Sequence, residues 1–440
     1  MKRYLFLLLS PLLLHAESLL EFSGYLGAEY KYYNNNNRIP VIDAFGRTAI
    51  ISDKENKRTS NSAAYTGMEF AYKDENLNAR AQIEFFDDSD ESARDHYRIN
   101  ELYVGYSSEN SDFTTGKRIF FWGALEAYNF VDMLNLKDTS RDPLDGQYKL
   151  GAWFSTFTYY FDASQLDFMV KWLEEEQFFG DDRSPYVIYP YAKSLVLEQS
   201  QKRPSLYTKY SGSTDTDYPI DFALAFIQGY DGQRRVHVKE RDLQTNNFSG
   251  EVQQYAYLSN KYLSYNTMLV ESTLYKLEFA YTDVINHKFH EEKTNSKLPD
   301  YVQLGYGVEY TMEQLIDETD VGLLFEHYIF YYIDEIKDTE VTGLPLLFDN
   351  DFFLGIRFAF NDADSTEMQI GAVYDILFGD SYGLSGEATY FAKYKSRYSD
   401  SLSYNADLRY ITPGNSGDEY TIFKYVGDHT RIGFNLQYNF

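Results

Sequence analysis

The chain has no cysteine among its 440 residues, which excludes a disulfide framework and a cysteine-linked lipid anchor and leaves stability to strand pairing and packing. Proline is scarce as well, with 10 residues. Cations are in the minority: 40 Lys and Arg stand against 67 Asp and Glu, a formal net charge of −27, which argues against nucleic-acid binding. Beyond residue 16 no uninterrupted apolar run approaches the roughly 20 residues of a transmembrane helix, and mean hydropathy is −0.48. Hydropathy alone therefore reads as a soluble protein. The aromatic content does not, because 43 Tyr and 33 Phe with only moderate apolar content suit a wall with one wet and one oily face.

Export is written at the N-terminus. Lys2 and Arg3 precede an apolar run from Tyr4 to Leu14 that ends at His15-Ala16, the layout of a cleaved signal peptide over residues 1–16. Its run is too short for a membrane anchor. Removing Lys2 and Arg3 leaves 38 basic side chains against 67 acidic ones, a surplus compatible with acidic surface loops or a cation-attracting pore.

Period-two alternation over about ten residues, the length of a tilted strand crossing hydrocarbon, recurs from there to the end. Ile432, Phe434, Leu436, Tyr438 and Phe440 share one face, and Arg431, Gly433, Asn435, Gln437 and Asn439 share the other. Leu77, Ala79, Ala81, Ile83 and Phe85 alternate in the same way with Asn78, Arg80, Gln82 and Glu84. Such strands survive in lipid only when each is paired on both sides, so the sheet must close. The pattern predicts an all-β, closed antiparallel transmembrane barrel of about eighteen strands, sixteen being the alternative, forming a single domain over 17–440. Weak patterns at 204–211 and 254–270 and an extra segment at 419–426 leave the count open. An even number keeps both termini periplasmic, with Phe440 as the membrane-insertion terminus. Short connections such as 74–76, 109–110, 162–164 and 362–365 alternate with long polar ones near 34–61, 123–149, 175–203, 230–253, 284–299 and 333–350, and the long ones are assigned to the outside.

The connection at 123–149 is unusually apolar. Leu125, Tyr128, Val131 and Leu134 recur at a spacing that predicts a short helix, and so apolar a loop is expected to fold into the barrel and narrow it, the alternative being a cap or a contact with a neighbouring subunit. Its charged residues Glu126, Asp132, Asp138 and Arg141 are the candidate constriction residues. Inward strand positions nominate Arg80, Glu84, Arg118, Arg357, Arg409 and Arg431 as lumen-wall residues, with Lys209, Lys276, Glu69, Glu101, Glu278, Glu309, Glu326, Glu387 and Asp407 beside them. Arg80, Arg357, Arg409 and Arg431 are expected on one sector, where they either create a transverse field or pair with carboxylates. The acidic runs 87–91, 174–176 and 181–182 lack the ordered spacing of a Ca²⁺ loop and read as solvated charge. His287 and His290, with Glu291 and Glu292, have a spacing that suits a metal but read as exposed loop residues, so no metal or cofactor is expected.

Arg118-x-x-x-Trp122-Gly123, Val131-Asp132 and Asn135-x-x-Asp138 together resemble the signature of a porin-like outer-membrane family of largely unassigned function. Leu136 stands where that family has proline. The resemblance, which extends to the final strands and Phe440, implies a barrel and, for some members, movement of lipids or other hydrophobic compounds beside an inner-membrane exporter.

No Gly-x-Ser-x-Gly or His-x-Ser element supports an enzyme. The expected function is a passive outer-membrane channel for small polar or charged solutes; the alternatives are transport or export of lipids and hydrophobic compounds, or a surface adhesin. Implied partners are outer-membrane lipid and lipopolysaccharide, the barrel-assembly machinery, small-molecule solutes, a homotrimer mate and, for the export reading, an exporter or periplasmic lipid carrier; nucleic acid is excluded.

Overall fold

A computed structural model describes residues 20–34, 38–42, 48–52, 59–142, 148–178, 180, 184–185, 192–232, 234–238, 252–288, 298–333, 348–377, 383–413 and 429–440. In chain order its strands are β1 (Leu20–Asn34), β2 (Arg38–Ile42), β3 (Thr48–Ser52), β4 (Ser60–Lys73), β5 (Leu77–Asp88), β6 (His96–Ser107), β7 (Ser111–Arg118), β8 (Ala152–Tyr160), β9 (Ser164–Lys171), β10 (Ala192–Leu197), β11 (Ser205–Ser213) and β12 (Ile220–Tyr230). They continue as β13 (Arg235–Val238), β14 (Val252–Ala256), β15 (Leu258–Val270), β16 (Thr273–Val284), β17 (Tyr301–Ile316), β18 (Thr319–Tyr332), β19 (Asn350–Ala359), β20 (Glu367–Leu377), β21 (Gly383–Arg397), β22 (Leu402–Pro413) and β23 (His429–Asn439).

Eighteen of these form one antiparallel sheet in which each strand pairs with its predecessor and successor, and β23 pairs back onto β1. The seam closes at Phe440: its N–H and carbonyl exchange hydrogen bonds with Gly24, both 2.9 Å. Gly24 has to be glycine there, since a Cβ would lie 2.7 Å from the Phe440 ring and from the Gly67 carbonyl. Connections of two to seven residues, such as 74–76, 271–272 and 317–318, occupy one end; those at the opposite end are mostly long, with 89–95 and 378–382 the short exceptions. Three of the long ones carry two small sheets: β2 pairs β3 within one, and β14 lies between β13 of its own connection and β10 of the preceding one. The single strand expected over 254–270 is divided at Tyr257, so that only β15 joins the barrel. The extra segment at 419–426 lies outside the described residues.

Dyad alternation becomes a two-faced wall. Leu26 is 57 % exposed and Leu224 54 %, side chains that water would not tolerate in such numbers and that lipid would cover. Aromatic rings ring both ends of this face: Phe22–Phe70, Tyr210–Phe222 and Tyr394–Tyr404 at the short-turn end, Phe85–Tyr97, Tyr262–Tyr281, Phe352–Tyr374 and Tyr390–Tyr410 at the other. The register shifts in three strand pairs, β5–β6, β17–β18 and β20–β21, and the first shows its effect on the alternation. Gln82 pairs with Glu101 and Ile83 with Ile99, leaving Asn100 as an extra residue, so outward positions on β6 change from odd at Tyr97 to even from Leu102 onward.

Candidate functional site in the barrel interior

From Arg118 the chain leaves β7 four residues before the expected strand end and meets the inward-facing side chains of the wall. No helix forms among the described residues of 119–151, contrary to the spacing of Leu125, Tyr128, Val131 and Leu134. The reason is visible in where the amides go. Ala124 and Leu125 donate to Glu278 Oε1 at 2.6 and 2.9 Å, Glu126 and Ala127 to the Glu326 carboxylate at 2.8 and 3.0 Å, and Tyr128 to the Tyr328 hydroxyl at 3.0 Å. The four bonds to carboxylates are stronger than neutral ones, but a helix leaves its first four N–H groups free in any case. The turns fail farther on: the N–H groups of Tyr128, Asp132 and Met133, which would close them, donate to the Tyr328 hydroxyl, Asn129 Oδ1 and the Val131 carbonyl.

The apolar stripe still finds an apolar surface, but on the wall. Trp122, Leu125, Phe130, Val131 and Leu134 pack against inward-facing Phe154, Met169, Tyr207, Ile227, Leu263, Leu324, Phe353 and Val373. Leu125 occupies the space left by missing side chains, since a Cβ on Gly305 would lie 2.4 Å from its Cδ1. About half the interior, from β8 round to β20, is therefore a packed core.

The signature-like residues hold the loop to itself and, through Arg118 and Asp138, to β6 of the wall. Asn135 accepts from the Phe120 amide at 2.8 Å and donates to the carbonyls of Arg118 and Leu150 at 2.9 and 2.8 Å. Asp132 accepts from the Trp122 amide at 3.2 Å and pairs with Lys149. Gly123, at φ +102°, is in the region that favours glycine, and a side chain there would collide with Asn129. Val131 is fully buried. Asp138 pairs with Arg98 at 2.8 Å, and Arg118 donates to Thr114 Oγ1 at 2.7 Å with its guanidinium over the Tyr103 ring.

A second set of contacts ties the loop to the wall farther along. Arg141 reaches Glu84 at 3.2 Å and lies between the rings of Phe86 and Tyr148, 4.4 and 4.0 Å from their centroids. Asp142 pairs with Arg409 at 2.8 Å and with Arg431. Glu126 pairs with Lys276 at 3.0 Å and with Arg357, which also meets Glu309 at 2.9 Å. Burial works to raise the carboxyl pKa values of Glu126 and Asp142, but the facing cations outweigh it and hold both below the ordinary carboxylate range.

These contacts revise the expected charge map. Arg409 and Arg431 are cross-strand neighbours, but Arg357 stands on β19, and Arg80 on β5 pairs with Glu69 and Glu101 at 2.8 and 3.3 Å. The four arginines thus stand at three places on the wall, β5, β19 and β22–β23, each paired with carboxylate. The run 87–91 is solvated only in part: Asp87 and Asp90 are exposed, whereas Asp88 is buried and paired with Arg94 and Glu91 is buried beside Asn61. Glu174 likewise pairs with Lys171 and Arg234. His287 meets the Leu298 carbonyl at 2.7 Å, while His290, Glu291, Glu292, Asp181 and Asp182 lie outside the described residues. Asp349, Asp351 and Asp375 bring carboxylate oxygens within 4.8 Å of one another, the one grouping among the described residues with the donor type for a hard cation.

Between the loop and the wall from β19 through β23 to β1 lies a cavity of about 500 Å³. The loop contributes Glu126, Asp142 and Tyr148, and the wall contributes Arg357, Glu367, Gln369, Lys393, Lys395, Asn405, Asp407, Arg431, Asn435, Glu29 and Lys31. Five of these side chains are acidic and five basic. Of the candidate constriction residues only Glu126 lines it; Asp132, Asp138 and Arg141 act in the loop's anchorage. Asp142 and Tyr148 were not legible as site residues, because no spacing distinguishes them from their neighbours.

No protein-family model matches the sequence, and no curated protein does. Solved structures are similar in fold. OccAB1 of Acinetobacter baumannii aligns with a TM-score of 0.55 at 8 % identity over 96 % of each chain. OccK3 (OpdO) of Pseudomonas aeruginosa aligns at 0.53 and 10 % identity over 96 % of this chain and 95 % of its own. Wzi of Escherichia coli, a carbohydrate-binding β-barrel involved in group 1 capsule assembly, aligns at 0.52 and 9 % identity over 95 % and 84 %. At these identities the likeness shows the outer-membrane barrel fold.

Proposed function

We propose that the chain is an outer-membrane channel for small polar solutes, that residues 119–151 are its constriction, and that solute passes between that loop and the β19–β23–β1 wall. One observation carries this reading: the loop is fixed to the wall at Glu278 and Glu326 and again at Glu84, Arg409 and Arg431, and the space it leaves is lined by ten charged side chains. Charge and amides on that scale suit hydrated solutes and oppose passage of acyl chains, which would have to desolvate them. The apolar surface that a hydrophobic cargo would need is already buried under the loop. The fold is shared with Occ proteins and with a carbohydrate-binding barrel, so it leaves the solute open while supporting a wet interior. Liposomes containing the refolded protein are expected to swell in arabinose at a rate well above protein-free liposomes. No swelling, together with transfer of a fluorescent phospholipid between vesicles, would overturn the reading in favour of lipid transport.

A further inference from the structure

In the cavity almost every charge has a partner. Arg357 is held by Glu126 and Glu309, Arg431 by Asp142 and Asp407, Lys31 by Glu29 at 2.9 Å, and Lys395 by Glu367 at 2.9 Å. Lys393 differs. Its ammonium lies 5.7 Å from the Phe391 ring centroid, and among the described residues no carboxylate forms an ion pair with it.

The strand register shows what surrounds it. Arg357 pairs with Gln369, Gln369 with Lys393, Lys393 with Asp407, and Asp407 with Gly433, so these inward positions form one cross-strand row, with neighbouring Cβ atoms about 5 Å apart. Asp407 is engaged by Arg431. Arg357, with a side chain 31 % exposed, and the Gln369 amide flank Lys393 on the side away from Asp407. One row nearer the long-loop end, the wall already binds a carboxylate: Asp142, an acidic group supplied by the loop, sits between Arg409 and Arg431. The β21–β23 sector thus contains one carboxylate position filled from within and, beside it, a cation with an amide donor and no internal occupant among the described residues.

We infer that Lys393, with Gln369 and the exposed edge of Arg357, is an open subsite for the carboxylate of a small organic acid, and that it biases the channel toward anions although the chain as a whole is strongly acidic. This rests on the reading of the cavity as the solute path. An ammonium in a narrow passage places a carboxylate a few ångströms away, where one unit charge changes occupancy several-fold even in a water-like dielectric. Glu126 and Asp142 form no ion pair with it, since Glu126 is turned to Lys276 and Arg357 and Asp142 to Arg409 and Arg431.

Two measurements on the refolded full-length protein and on Lys393→Gln and Lys393→Arg test the inference. In planar bilayers under a potassium chloride gradient, the chloride-to-potassium permeability ratio should fall about fivefold in Lys393→Gln and remain within about twofold of wild type in Lys393→Arg. Equal ratios in all three proteins would overturn the subsite while leaving the channel reading intact. In detergent micelles, saturation-transfer NMR should show succinate contacting wild type and Lys393→Arg but not Lys393→Gln. This second arm does not require current, so absence of transfer to the wild type defeats the subsite even if the channel is closed, whereas transfer without conductance supports the subsite and defeats passive diffusion.

Discussion

Arg409 and Arg431 stand directly opposite each other on β22 and β23, a placement of like charge that is unfavourable on a bare wall. Asp142 resolves it by accepting from both guanidinium groups while almost wholly buried. Asp142→Asn should therefore lower stability by about 3 kcal/mol, the scale of breaking a buried pair and leaving its partners uncompensated, read as an earlier transition in urea unfolding. The pH dependence has a definite sign. The two arginines depress the Asp142 carboxyl pKa against the opposing effect of burial, so its contribution is fully present above the unfolded-state value of about 3.9 and is lost only as pH falls through the lower folded value. Stability attributable to this pair, measured as the difference between wild type and Asp142→Asn, should stay constant from pH 7 down to about pH 4. A step between pH 5 and 6 would contradict the assignment.

At the scale of elements, the loop is placed by groups that sequence pattern could name but not connect. Glu278 and Glu326 were legible as inward wall positions, yet nothing in their spacing showed that they take the amides of residues 124–127. The helix-like apolar spacing makes no helix because the amides of Tyr128, Asp132 and Met133 are spent on the Tyr328 hydroxyl, Asn129 Oδ1 and the Val131 carbonyl. The packed half of the interior was less legible still. Dyad reading assigns polar residues to the wet face, but β12 carries Ala223, Ala225 and Ile227 inward as well as Phe222, Leu224 and Phe226 outward, and an apolar run on both faces is the mark of a strand covered on both sides. Gly305 gives the most direct test of that packing. Gly305→Val places new atoms where Leu125 sits, so it should cost about 1–3 kcal/mol and loosen the loop, raising conductance. Unchanged stability with unchanged conductance would mean that Leu125 does not occupy that space.

For the molecule as a whole, the wall was far easier to read than its contents. Period-two text, connection lengths and the aromatic end at Phe440 anticipated each of the eighteen barrel strands, because lipid enforces a repeating demand at every outward position. The lumen imposes no such repeat. Its order comes from pairs distant in the chain, such as Asp142 with Arg431 and Glu126 with Arg357, which periodicity does not register. The central claim, that a loop tethered at two places fills much of an eighteen-stranded cylinder and leaves a charged passage beside it, is tested most directly by single-channel conductance of the wild type and of a variant lacking residues 124–138. Small, steady steps are predicted for the wild type and steps at least twofold larger for the deletion, since both the wall anchors and the apolar packing of the loop are removed. Equal step sizes in the two proteins, with the deletion variant folded, would contradict the account.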